Sequence, residues 1–129
     1  MAMRWFDKSE RKEVWDEAIE WPIGDIEAAQ KIRQICHSAA DSAEKVGASD
    51  GSASTRHQRE QERYDRAARM AMEIAMKISD ELLRETSVRQ IVDLCMKANN
   101  TKTAQTLFRA IQADSIRSEV LSDHPTLGG

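Results

Sequence analysis

The chain has 129 residues, of which 40% are hydrophobic, 32% charged and 5% aromatic, and its formal net charge is −3. Five glycines and two prolines are too few for a collagen-like, proline-rich or many-turned all-β chain, and the negative charge argues against a strongly basic nucleic-acid coat protein. The length predicts one domain over residues 1–129. No apolar run approaches the roughly 20 residues that span a bilayer, and the charged N-terminus is unlike a signal peptide. We therefore expect a cytoplasmic protein.

The first two predicted helices lie on either side of a proline. The first runs from about Asp7 to Glu20 and ends before Trp21-Pro22, because the residue before a proline is pushed out of the α region. The second runs from about Asp25 to Val46. Its apolar residues alternate steps of four and three, the spacing of a helix packed along another helix: Ala29, Ile32, Cys36, Ala39, Ala43 and Val46. Gly47 fits the left-handed position just beyond a helix end.

The third predicted helix is the longest, from about Arg56 to Glu85, and it follows a small, polar loop at about 48–54. Its second half is apolar around most of its circumference, so it must be covered from several sides. We expect it either at the centre of the bundle or against a second copy of the chain, as the seam of a homodimer. Unbranched thioethers suit adaptable interfaces, which makes Met70, Met72 and Met76 candidate partner-binding residues; core filling is the alternative for at least two of them.

Two further helices are predicted from about Val88 to Ala98 and from about Lys102 to Leu121, and the tail at 122–129 is expected to be frayed. No segment alternates with a period of two between turn residues, so we predict no β-sheet. The predicted fold is therefore all-α, a bundle of four to five mostly antiparallel helices.

Aromatic residues near the N-terminus point to protein binding. All three tryptophans lie within the first 21 residues, and Trp5 and Phe6 precede the first predicted helix. Because Trp is enriched at binding hot spots, Trp5 and Phe6 are candidate partner anchors, with docking on their own bundle as the alternative. Together with the methionines they favour a non-enzymatic interaction module, expected to be a homodimer, that binds or regulates another protein.

The first alternative function is DNA binding by the helix pair at 88–111, which has the short connection of a helix-turn-helix. Its second helix carries side-chain types that read base edges: Lys102, Thr103, Gln105, Thr106 and Arg109. The negative net charge opposes this interpretation, as does Asn99-Asn100 in place of the usual turn glycine. A plain αα-hairpin is also far commoner.

The second alternative concerns His37, at the edge of the apolar stripe of the second helix. The stretch from His37 to Ala48 resembles the histidine phosphotransfer signature, and the positions in step are His37, Ser42, Ala43, Val46 and Gly47-Ala48. The resemblance implies a helical phosphotransfer domain with His37 as phosphoacceptor. The chain departs from that family at Ala40 and Asp41, where the family has Lys and Gly, and the Asp41 carboxylate would repel a phosphoryl group.

Motifs with a strong chemical meaning are absent from the sequence. It contains no Gly-rich phosphate loop, no Cys-x-x-Cys pair, no His-Glu-x-x-His and no Gly-x-Ser-x-Gly. We therefore expect no catalytic residue, no cofactor and no metal. Cys36 and Cys95 each lie among apolar residues and are expected to be reduced and buried.

Overall fold

The structure, a computed structural model, describes residues 13–48 and 54–128. In these two ranges it is all-α without a strand, which confirms the predicted fold class. Its five α-helices are α1 (Asp25–Ala48), α2 (Thr55–Ala75), α3 (Glu81–Lys97), α4 (Thr101–Ala110) and α5 (Asp114–Asp123), with 3-10 turns at Val14–Asp16 and Pro125–Gly128. None of the described helices has the length and apolar character that crossing a membrane needs.

Helices α1, α2 and α3 form the central bundle, and their contacts fix their directions. The Ser42 hydroxyl, late in α1, donates to Glu60 Oε1 early in α2 at 2.6 Å, so these two helices run antiparallel. The Asp25 carboxylate at the start of α1 accepts from the backbone N–H groups of Ser79 and Asp80 at 3.0 and 2.9 Å, just before α3 begins. Since Gly47 lies against the Lys97 backbone at the other end, α1 and α3 run parallel.

The core lies between these three helices, and α4 and α5 extend it over α3. Its largest fully buried side chains come from every part of the described chain: Trp15, Ile32, Ile35, Tyr64, Ile74, Ile91, Leu94, Ile111 and Val120. Alanines of α1 and α2 are buried between them, which lets the helix backbones approach closely. The four-three spacing that predicted α1 is confirmed over Asp25–Ala48.

The prediction of one long helix from Arg56 to Glu85 is wrong, because the chain turns at 76–80 between α2 and α3. The Asp80 side chain accepts from Leu83 N at 2.8 Å and so caps α3. The apolar residues of this stretch therefore divide between two helices and a turn, where Ile78 is buried. The excess of apolar surface on which the predicted dimer seam rests is not present on α2, since Met70 and Met72 pack partly buried against the core.

The prediction of a first helix over about Asp7–Glu20 is also wrong for its second half, which the structure describes. Residues 1–12, which include Trp5 and Phe6, lie outside the described range. Residues 17–20 are not helical, and only the single turn Val14–Asp16 precedes them. Trp15 is buried, and the Arg63 guanidinium lies 5.1 Å from its ring centroid. Ion pairs from Glu13 to Arg63 and from Asp16 to Arg66 hold this segment along α2 as a strap, not as a bundle helix.

The predicted helix from Lys102 to Leu121 divides at 111–113 into α4 and α5. The cause is the buried Glu85 of α3, whose Oε1 accepts from Gln112 N at 3.1 Å and from Ala113 N at 2.9 Å. The tail that was expected to be frayed is ordered through residue 128, because Leu127 is buried in the core.

Two positions with unusual backbone roles differ from expectation. Gly47 lies inside α1, not in a left-handed position beyond it. Asn99 has a φ of 60°, so it supplies the left-handed residue of the turn between α3 and α4. The loop predicted at 48–54 falls largely on residues 49–53, which lie outside the described ranges.

Candidate functional site

A cleft of about 240 Å³ runs between the parallel helices α1 and α3. We call it the α1/α3 cleft; it is lined by Arg33, Cys36, His37 and Ala40 of α1 and by Gln90, Asp93, Leu94 and Lys97 of α3. The floor consists of the short side chains Cys36 and Ala40 together with Leu94, while longer polar side chains form the rim. The cleft exists because the short α1 side chains leave space that the rim residues do not fill.

The rim of the α1/α3 cleft carries basic side chains that have no partner among the described residues. Arg33, His37 and Lys97 make no hydrogen bond or ion pair with any described residue. Several other cations are paired, including Lys31 with Glu17 and Arg89 with Glu119. Asp93, the one carboxylate among the described residues that line the cleft, lies 2.8 Å from Nε2 of His124. The cleft is thus locally cationic in a chain whose net charge is −3.

Exposed hydrophobic side chains continue the two walls of the cleft toward the start of α1 and α3. Residues eleven apart return to almost the same face of a helix after three turns. Ile26 is eleven residues before His37, and Leu82 is eleven residues before Asp93. Their exposed fractions are 69% for Ile26 and 58% for Leu82.

The four exposed large hydrophobic side chains of the described residues all lie at this end of the bundle. They are Trp21, Ile26, Met76 and Leu82, and we call them the apolar end. Each is within a few residues of the contact between the Asp25 carboxylate and the 79–80 backbone, which joins the starts of α1 and α3. Lys77 Nζ lies 5.3 Å from the Trp21 ring centroid and fixes that ring beside the end of α2.

Of the predicted partner-binding residues that the structure describes, only Met76 belongs to this surface. Met76 is 70% exposed, whereas Met70 and Met72 pack against the core, as the core-filling alternative expects for two of the three. Trp5 and Phe6 lie outside the described ranges, so their role stays a prediction.

The Cys36 thiol in the cleft floor is held in its neutral form. Burial, together with the smaller effects of nearby Cys95 and Asp93, raises the pKa of Cys36 to about 12. Both cysteines are free, but Cys36 is only half-buried. A thiol in this state acts as a small apolar surface and not as a nucleophile.

A larger cavity of about 600 Å³ lies between α1 and the chain at residues 18–23. Of its described lining, the single cation, Lys31, is ion-paired with Glu17, and the remaining charged groups are the carboxylates of Glu20 and Glu27. It therefore lacks the unpaired cations of the α1/α3 cleft. In the described part of the chain, no group of three His, Cys, Asp or Glu side chains is placed to hold a metal ion.

The helix pair predicted to bind DNA is present as α3, a three-residue turn and α4. The Asn100 side chain accepts from Thr103 N at 3.3 Å and so caps α4. Four of the five predicted base-reading residues are exposed on α4: Lys102, Thr103, Thr106 and Arg109. The fifth, Gln105, is half-buried and donates to the Leu127 carbonyl at 3.3 Å. That contact turns Gln105 toward the C-terminal turn of the chain.

His37 is exposed on α1, as a phosphoacceptor would have to be, but the phosphotransfer hypothesis remains a prediction. Comparison with protein-family models, with curated proteins and with solved structures finds no match for this chain.

Sequence reasoning identified His37 and Met76 but missed the rest of this surface. The available signal was Ile26, an isoleucine on the polar face of α1 that also carries Arg33 and His37. The alignment of that face with α3 depends on the contact between Asp25 and residues 79–80, which a local pattern does not show.

Proposed function

We propose that this chain is a non-enzymatic, cytoplasmic protein-binding module that binds or regulates another protein through the apolar end and the adjoining α1/α3 cleft. The observation that carries the proposal is that every exposed large hydrophobic side chain of the described residues lies at one end of the bundle. Apolar side chains gathered in one place, with polar residues beside them, are typical of interaction sites. The two free cysteines support the cytoplasmic assignment.

The test compares proteins captured from the source cell by three forms of the full chain. Ile26→Ser with Leu82→Ser removes two exposed anchors, while Lys102→Ser on α4 is the matched surface control. We expect the unaltered chain and the control to retain the same partners and the double variant to lose them. Capture that is unchanged by the double variant would contradict the proposed surface.

We also propose that, if the chain forms a homodimer, the apolar end forms the contact and not the α2 face. Light scattering behind a sizing column measures the mass directly. A dimer that becomes a monomer on Met76→Ser supports this arrangement, since Met76 is 70% exposed at that end. A monomer at all concentrations removes the homodimer and leaves binding to another protein.

A second candidate function, DNA binding, is favoured by the turn between α3 and α4. The sequence has no glycine in this turn, but Asn99 adopts the left-handed conformation, with a φ of 60°, that a turn glycine would supply. In addition, α4 contains no acidic residue that would repel a phosphate backbone. Anisotropy of a labelled random duplex at low salt tests it, because phosphate contacts weaken steeply as salt rises. We expect Lys102→Ala with Arg109→Ala to weaken any such binding; no binding by the unaltered chain at low salt removes this function.

A further inference from the structure

The charge of the α1/α3 cleft restricts what it can bind, and this inference rests on the protein-binding function proposed above. Arg33 and Lys97 stand on opposite walls, one from each helix, and neither has a partner among the described residues. Asp93 is engaged by His124. A ligand that brings carboxylates to this rim gains charge pairing without breaking an existing ion pair, whereas a cationic ligand meets two unpaired positive charges.

The apolar and cationic parts of the surface lie at a defined spacing. Ile26 precedes Arg33 by seven residues on α1, and Leu82 precedes Lys97 by fifteen residues on α3. At a rise of 1.5 Å per residue these separations are about 10 and about 22 Å along the helix axes. A bound segment must therefore place negative side chains about two and about four helical turns from an apolar side chain.

The shape of the cleft favours a helix as the bound segment. Two parallel helices with a floor of short side chains at Cys36 and Ala40 form a groove, and grooves of this kind accept the apolar face of an amphipathic helix. The mixed character of the surface argues against a polyphosphate backbone, since Ile26 and Leu82 offer it nothing to pair with.

We propose that the α1/α3 cleft binds an acidic amphipathic helix of a partner protein. Its apolar side chain packs on Ile26 and Leu82, and its carboxylates, about two and about four turns away, pair with Arg33 and Lys97 respectively. His37 lies between these groups on the α1 wall and contacts the same face of the bound helix.

The test uses two labelled 18-residue helix-forming peptides that share one leucine stripe. The acidic peptide carries Glu seven and fifteen residues from the terminal leucine, the spacings of Arg33 from Ile26 and of Lys97 from Leu82, and the basic peptide carries Lys at the same positions. We expect the acidic peptide to bind the full chain at least tenfold more tightly, with amide NMR shifts centred on Arg33, His37 and Lys97. Arg33→Glu with Lys97→Glu should reverse that preference, because both exposed charges change sign.

Controls separate this proposal from the function on which it rests. Arg69→Glu changes the net charge equally to one cleft substitution but lies exposed on α2, and it should leave the preference unchanged. Equal binding of both peptides in the cleft overturns the acidic partner while leaving a protein-binding cleft. If neither peptide binds, or if the chain binds only anionic phosphatidylserine vesicles, the proposal of an acidic partner helix is also wrong. The protein-binding function is tested separately: it fails if the proteins captured from the cell are unchanged by Ile26→Ser with Leu82→Ser. Circular dichroism confirms that each variant is folded.

Discussion

Gly47 gives the sharpest test of how α1 packs on α3. By helix propensity alone, Gly47→Ala inside α1 should stabilise the protein by up to about 1 kcal/mol. The structure reverses the expected sign. A Cβ at this position would lie 2.2 Å from the Lys97 carbonyl oxygen and 3.2 Å from the Lys97 carbonyl carbon, and both atoms belong to the backbone of the neighbouring helix.

The size of the effect follows from the distance that must be recovered. An ordinary contact begins at 3.4 Å, so α1 and α3 must separate by about 1.2 Å at this point. Because the atoms that must move are backbone atoms, the cost lies in the upper part of the range typical of overpacking, about 2–3 kcal/mol, and exceeds the propensity gain of up to about 1 kcal/mol. We therefore expect Gly47→Ala to lower the free energy of unfolding by about 1–2 kcal/mol and the melting temperature by roughly 3–10 °C.

Thermal and urea unfolding followed by circular dichroism measure this difference. Gly24→Ala is the matched control, since a Cβ there meets no atom within 4 Å, and it should change the stability by less than about 1 kcal/mol. A Gly47→Ala protein as stable as the unaltered chain, or more stable, would refute the close approach of α1 to the end of α3.

Three further predictions concern single side chains. Glu85→Ala should lower the free energy of unfolding in urea by about 2 kcal/mol, because it removes the buried carboxylate that accepts from the N–H groups of Gln112 and Ala113. Glu85→Gln keeps one acceptor and should cost less; equal costs would contradict this reason. Asp25 accepts hydrogen bonds from the backbone N–H groups of Ser79 and Asp80, and these bonds lower its pKa. The contribution of Asp25 to stability is therefore present above about pH 4 and is lost as the pH falls through the lowered pKa. The Asp25→Asn variant should be less stable than the unaltered chain at neutral pH and equally stable in strong acid. With its pKa raised to about 12, Cys36 should react with iodoacetamide far more slowly than a free thiol at pH 8 and about tenfold faster per pH unit above that; fast labelling at pH 7 would contradict the buried, neutral thiol.

The parts of the fold that sequence predicted correctly are those set by local pattern. The four-three spacing of α1 reports a single buried face, and that face is buried against α2 and α3. The Asn99-Asn100 break likewise depends on neighbouring residues, since Asn100 caps α4 and Asn99 takes the left-handed turn. Such features require no knowledge of distant parts of the chain.

The parts that sequence predicted wrongly are set by distant side chains. The turn at 76–80 contains no glycine or proline, and the N–H groups of its last two residues, Ser79 and Asp80, donate to Asp25, which lies 54 residues before Ser79. The division of α4 from α5 is fixed in the same way by Glu85, 27 residues before Gln112. In both places a carboxylate from another helix accepts from the backbone N–H groups at the helix break. The apolar pattern continues through the break, so the sequence does not show where the helix ends. The cue within the turn itself was Asp80 before Glu81, an acidic cap and first turn.

The α1/α3 cleft follows from how side-chain size changes along α1. At its end Gly47 lets the α3 backbone come within contact distance, and in its middle Cys36 and Ala40 are too short to fill the space beside Leu94. At its start Ile26 is large enough to cover α3 but points to solvent, 69% exposed. If α1 served only to pack against α3, we would expect a large side chain in its middle, where the cleft lies, and a small or polar side chain at its exposed start. Because the chain has the opposite order, packing within the chain does not account for Ile26, whereas the proposed partner helix would cover it.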